Sequence, residues 1–247
     1  MFVSLQALLW GTAAGSALLI GAAAAWWLRI SRVWVCAVMA FGAGVLVSAL
    51  SFELVLEAFT LGGLAATVAG VVAGALLYFG ANTLLAKRSR RKRRARGAGG
   101  AESSSGSAIA VGALIDGIPE SVALGLGLVA GASVNPTMLI AIFVSNIPEG
   151  LASSADMKAS GRSGRSVFTL WASIALASGL AAFIGAIALE GMPAEVLAFT
   201  TAVAAGGILT MIADTMIPEA YAVDHDYTGL LVTAGFLSAF SLHAIGG

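Results

Sequence analysis

Hydrophobic positions in this chain come in long unbroken runs, separated by short polar connections. Runs of roughly 20 apolar residues, enough helix to cross a ~30 Å hydrocarbon core, fall near 3–28, 33–58, 62–86, 107–130, 136–156, 166–189, 195–220 and 228–246. They predict an all-α integral membrane protein of eight transmembrane helices. Two boundaries, around Gly62 and Pro136, rest on very short connections. The alternating ten-residue pattern of a membrane β-barrel is not seen. The first run lacks a basic leader and continues to Trp26 and Trp27, so it reads as a retained span rather than a cleaved signal peptide.

The polar connections set the orientation. Arg29 and Arg32 follow the first run; Lys87, Arg88, Arg90, Arg91, Lys92, Arg93, Arg94 and Arg96 follow the third; Lys158, Arg162 and Arg165 follow the fifth. These are all 13 basic residues. With eight spans every one falls on the same face, which the positive-inside rule makes cytoplasmic. A multi-pass protein of the cell membrane with both termini outside is therefore expected. The stretch 87–107, a basic block followed by Gly, Ala and Ser, is expected to be a disordered cytoplasmic loop within a single transmembrane domain, 1–247. Its charge reads as an orientation signal with affinity for anionic membrane lipid, and not as a nucleic-acid site.

Composition agrees. The chain is 59% hydrophobic and 11% charged, against about 25% charged residues in soluble domains, so an ordinary soluble protein is excluded. A single cysteine, Cys36, excludes an intrachain disulfide. Abundant Gly and Ala suit closely packed membrane helices.

The candidate chemistry is acidic. Glu53, Glu57, Asp116, Glu120, Glu149, Asp156, Asp214 and Glu219 lie within or at the ends of predicted spans, where a carboxylate costs at least a few kcal/mol. No basic residue lies inside a predicted span, so these acids are expected to be neutralised by protonation or by a bound cation. Three of the 5 prolines sit in one repeated tripeptide, Ile118-Pro119-Glu120, Ile147-Pro148-Glu149 and Ile217-Pro218-Glu219. A proline in a helix frees the carbonyl four residues back, and such interruptions persist in membranes where a cavity or a neighbour satisfies them. Asp116 and Glu120 share a helix face, as do Ser145 and Glu149, with Asn146 close by. Both clusters fall near mid-span, where transporters place substrate on broken helices. Carboxylate, amide and hydroxyl oxygens suit a divalent cation.

These motifs resemble those of the ZIP (Zrt/Irt-like) metal transporters, whose fourth and fifth spans carry signatures of the form His-Asn/Glu-x-Pro-Glu-Gly. Here span four reads Asp116-Gly117-Ile118-Pro119-Glu120-Ser121 and span five Ser145-Asn146-Ile147-Pro148-Glu149-Gly150. Phe41-Gly42-Ala43-Gly44 leading to Glu53, the segment ending Ile217-Pro218-Glu219, and the long loop after span three also match. The chain is thus similar to a divergent, prokaryotic-type member lacking the motif histidines. The resemblance implies a ZIP-like bundle with broken helices four and five and a metal site between them. Glu120 and Glu149 would be shared ligands, joined by Asp116, Asn146 and Ser145, while Gly117 offers no side-chain ligand.

The expected function is import of zinc, or of iron or manganese, into the cytoplasm, with the metal as substrate and no prosthetic cofactor. Glu53 and Glu57 are expected at the outer end of the pathway, and Asp214, Glu219 and His225 at the inner end. His225 reads more readily as part of a solvated polar turn, and His243 as a hydrogen-bonded packing residue. Opposite directions and similar acidic ends make spans two and seven a candidate inverted repeat. An alternative is a degenerate relative acting as metal sensor, subunit or passive cation channel. No nucleotide-binding motif and no His-Glu-x-x-His are present, so an enzyme is not expected. Besides metal ion and lipid, a second copy of the chain is the remaining candidate partner.

Overall fold

The computed structural model describes residues 2–28, 30–96, 112, 115, 117–129, 136–223 and 225–246. They are helical, with no strand among them: α1 (Phe2–Trp27), α2 (Arg32–Ala49), α3 (Leu56–Arg96), α4 (Gly117–Val129), α5 (Pro136–Ala159), α6 (Gly164–Leu189), α7 (Ala194–Met211), α8 (Ile217–Tyr221) and α9 (Thr228–Gly246). Two π-helical turns join consecutive helices, π1 (Leu50–Val55) between α2 and α3 and π2 (Ile212–Met216) between α7 and α8. Six helical stretches are long and apolar enough to cross a membrane, and α4 is a shorter apolar helix. This is the composition of a multi-pass membrane protein.

The longest stretch, Arg32–Arg88, has 57 residues. Straight, it would run about 85 Å, far beyond a ~30 Å core. Gly63 breaks it, with φ 70° and ψ −176°, a conformation open to glycine and strained for other residues. Beyond the break the chain doubles back, because Val55 and Phe59 line the same groove as Val68 and Val72. Past residue 86 the chain departs from expectation. Helix α3 continues to Arg96, so the first ten residues of the stretch expected to be disordered are helical, in keeping with the high helix propensity of Lys and Arg. The rest of that stretch lies outside the described residues.

The packing falls into two related units. Helix α1 packs antiparallel on α6, Gly15 meeting Ala175 and Gly11 meeting Gly179. Helix α2 packs on α9, and α3 on α7. Helices α2 and α7 are each 18 residues long and each runs into a π turn. In register from their first residues, Gly44 corresponds to Gly206, Glu53 to Thr215 and Glu57 to Glu219. The contacts correspond as well. A Cβ on Gly44 would strike Val232 O of α9 and one on Gly235 would strike Phe41 O of α2; likewise Gly206 lies against Val71 O of α3 and Gly74 against Val203 O of α7. Bare backbone at these crossings gives the close approach that stabilises helix pairs where lipid removes the hydrophobic drive. The α1–α3 and α6–α9 segments are therefore structurally equivalent halves, with α4 and α5 between them in the chain.

Helix α5, expected to be broken, is not: it runs unbroken through Pro148, while α4 is described from Gly117 and is helical across Pro119. Pro148 is fully buried, and α1 presses on the same turn. A Cβ on Gly150 would meet Leu18 O, and one on Gly21 would meet Ile147 O. This packing holds the helical path across the proline. Irregularity appears instead in π1 and π2. For π2 the cause is legible: Pro218 crowds the carbonyl of residue 214, and the wider π turn lies at that point. No proline accompanies π1, and nothing local in its sequence explains it.

Candidate functional site

A cavity of about 80 Å³ lies among α2, α4, α5, α7, π2 and α8. Its polar lining is Glu120 of α4, Ser145, Glu149, Ser153 and Asp156 of α5, Thr215 of π2 and Glu219 of α8; Met39, Met211 and Met216 supply apolar walls. The α5 residues follow a helical spacing that keeps them on one face, so this helix carries a polar stripe along the cavity. Glu120 is only 3% exposed. The Ser145 hydroxyl donates to Ile142 O at 2.9 Å and lies 3.4 Å from Glu120 Oε1. Gly42 permits α2 to approach the backbone at Ser145, a Cβ there lying 3.3 Å from Ser145 Cα.

The cavity has one open side. Ala152, Asp156 and Glu219 also line a larger space of about 240 Å³, which reaches Leu28, Ile30 and Arg32 beside the α1–α2 connection. At this mouth Arg32 Nη2 lies 3.5 Å from Asp156 Oδ1, with both side chains largely exposed. Cys36, the single cysteine, lines the same space, its Sγ 3.9 Å from Glu219 O. Lys158 donates to Trp26 O at 2.7 Å, tying the last turn of α1 to the end of α5. Away from the mouth the interior is apolar: Leu46, Leu50, Leu54, Leu124, Met138, Ile142 and Ile208 form one buried cluster.

The expected site residues divide. Glu120, Ser145 and Glu149 share the cavity. Asn146 is buried but turns away, donating to Ala14 O of α1 at 3.2 Å. Asp116 lies outside the described residues. Of the residues expected at the inner end, Glu219 lines the cavity, whereas Asp214 is exposed and does not. The π turn brings Thr215 inward instead, a placement the sequence pattern did not indicate. His225 is exposed and packs edge-on against Tyr221 at 4.7 Å. Asp156, Ser153 and Thr215 join the site beyond the expected set; the spacing of 145, 149, 153 and 156 on one helix face was the available signal for two of them. Among the described residues no group of three or more His, Cys, Asp and Glu is gathered closely enough to hold a metal ion.

The distal acids also differ from expectation. Glu53 has a partner: His243 Nδ1 of α9 shares a hydrogen bond with its Oε1 at 2.8 Å, and the imidazole stacks on Phe52 at 5.4 Å. The expectation that no basic group reaches an acid within the spans is therefore corrected for Glu53, because a histidine late in one helix sits beside the π turn of another. Glu57, one turn on, is half-buried. No protein-family model matches the chain, and no curated protein matches it.

Proposed function

We propose that the chain is a membrane carrier for divalent metal cations, zinc, iron or manganese, releasing them to the cytoplasm through the mouth at Asp156 and Glu219. The observation that carries this reading is the cavity in which buried Glu120 faces Ser145 and Glu149. Carboxylates within membrane-spanning helices are rare and mark ion pathways, and carboxylate and hydroxyl oxygens gathered in one cavity are the ligand types that divalent cations take. A polar stripe down α5 then leads from these acids to the mouth, so an ion leaving Glu120 and Glu149 meets Ser153, Asp156 and Glu219 in turn. The Pro-Glu motifs of α4 and α5 and their resemblance to the ZIP transporters support a metal as the cargo. The hairpin at Gly63 and helix α4 are compatible with eight crossings, and with that number the mouth would open on the face of the basic loops.

The test is uptake of zinc, iron(II) or manganese by the full chain in liposomes loaded with a metal-sensitive dye. Saturable uptake is expected, with Glu120→Ala and Glu149→Ala each reducing it to the protein-free leak. Uptake that survives in both variants removes the cavity from the pathway. Absence of uptake for every divalent metal tried overturns the carrier reading.

A further inference from the structure

We infer that the Glu53–His243 pair is a latch that keeps the far end of the bundle shut while the Asp156–Glu219 mouth stands open. The two ends are built from equivalent parts. In π2, beside the open cavity, Thr215 shares a hydrogen bond with the Tyr78 hydroxyl of α3 at 3.4 Å. In π1, Glu53 holds the equivalent position and is bonded to α9 at 2.8 Å. Both bonds tie a π turn to the helix that packs beside it, but one is long and between hydroxyls while the other is short and involves a carboxylate. A 2.8 Å hydrogen bond is well formed and one of 3.4 Å is stretched, so the firmer tie belongs to the closed end.

The seam behind the latch is apolar: Leu46, Leu50, Leu54, Leu124, Met138 and Ile208 belong to one buried cluster. Ser48 lies on α2 between the Gly44 crossing and Glu53, on the helix face shared with Gly44. Among the described residues its hydroxyl is the one buried side-chain polar atom without a hydrogen-bond partner. Such a group costs free energy where it is, and water reaches it when the α2–α9 seam parts. The latch and the apolar plug thus hold closed a seam that already contains a polar group suited to its open form. Phe52 against the imidazole holds the latch in register.

This inference rests on the carrier reading, in which the bundle opens at each end in turn, but its test uses no cation. Cys36, buried but lining the space behind the mouth, reports on it. In detergent-purified full chain, losing one hydrogen bond shifts the two-state balance about tenfold toward the form open at the far end, so the rate of Cys36 modification by N-ethylmaleimide is expected to fall in His243→Ala and in Glu53→Gln. The double variant is expected to lose no more than either single one. In a Cys36→Ser background, Leu54→Cys is expected to react slowly, and faster once His243→Ala is added. The isosteric Glu53→Gln keeps the test available if His243→Ala does not fold. Opposite changes at positions 36 and 54 support the latch. No change at either position, or acceleration at both, overturns it. A protein that moves no cation yet shows this exchange would sink the proposed function and leave the latch standing.

Discussion

The two ends of the bundle are made from matching helices and turns, yet one opens as an acidic mouth while at the other the acid is paired with a histidine beside an apolar cluster. Glu57 and Glu219 hold equivalent places after equivalent π turns, but Glu219 opens onto the cavity with Asp156 while Glu57 is half-buried near Glu53. The difference arises between the halves. Helix α5 lies against α1 and α2 and lays its polar stripe toward Glu219, while its first turns, with Met138 and Ile142, are apolar. One helix running through the bundle, polar at one end and apolar at the other, breaks the equivalence of two similar halves.

That comparison is broken most severely at the crossings. Gly44→Ala and Gly206→Ala each place a Cβ onto a backbone carbonyl of the neighbouring helix, and each is expected to cost about 2–3 kcal/mol through overpacking, read as a large drop in melting temperature in detergent. Equal drops would show that the halves are mechanically alike. Gly80→Ala and Gly185→Ala, where a Cβ would meet nothing within 4 Å, are expected to raise stability by about 0.5–1 kcal/mol.

A smaller effect separates the ends chemically. With Cys36→Ser as background, Glu219→Cys is expected to react with a charged thiol reagent several-fold faster than Glu57→Cys. Equal rates would mean that the mouth and the plug do not differ in access. The smallest effect belongs to Arg32→Gln. Its 3.5 Å contact with Asp156 is exposed on both sides, at 76% and 64%, and such pairs contribute about 0–1 kcal/mol. Its melting temperature is expected to stay within measurement error, in contrast to the half-buried Glu53–His243 pair. A clear loss would assign the mouth a structural tie that its exposure does not suggest.

Much of the architecture was legible because membrane helices announce themselves by continuous apolar length. The break near Gly62 was visible for that reason, and glycine at position 63 supplies the positive φ. Glu120, Ser145 and Glu149 were legible because each motif repeats at helical spacing. Asn146 parts from its neighbours because a one-residue step on a helix turns a side chain by about 100°, and here that direction points at Ala14 O of α1. The prolines suggested breaks in α4 and α5, yet the backbone of α1 lies against α5 at Pro148 and that helix stays regular. Pro218 did coincide with an irregular turn, but one that carries Thr215 inward and leaves Asp214 outside. The Glu53–His243 bond joins residues far apart in sequence, and no local pattern marks it.

By itself, then, the sequence determined which segments are helices, where the chain turns and which helix faces carry carboxylates, because these follow from local apolar length and from helical period. Tertiary structure decided which of those faces meet, that Asp156 and Glu219 share a mouth with Glu120 and Glu149, and that Glu53 is bonded to His243. Those outcomes depend on how closely helices approach and on the rotation of each about its axis. Both are set by backbone-to-backbone contacts at glycines such as Gly44, Gly150 and Gly206, whose partners only the folded bundle supplies.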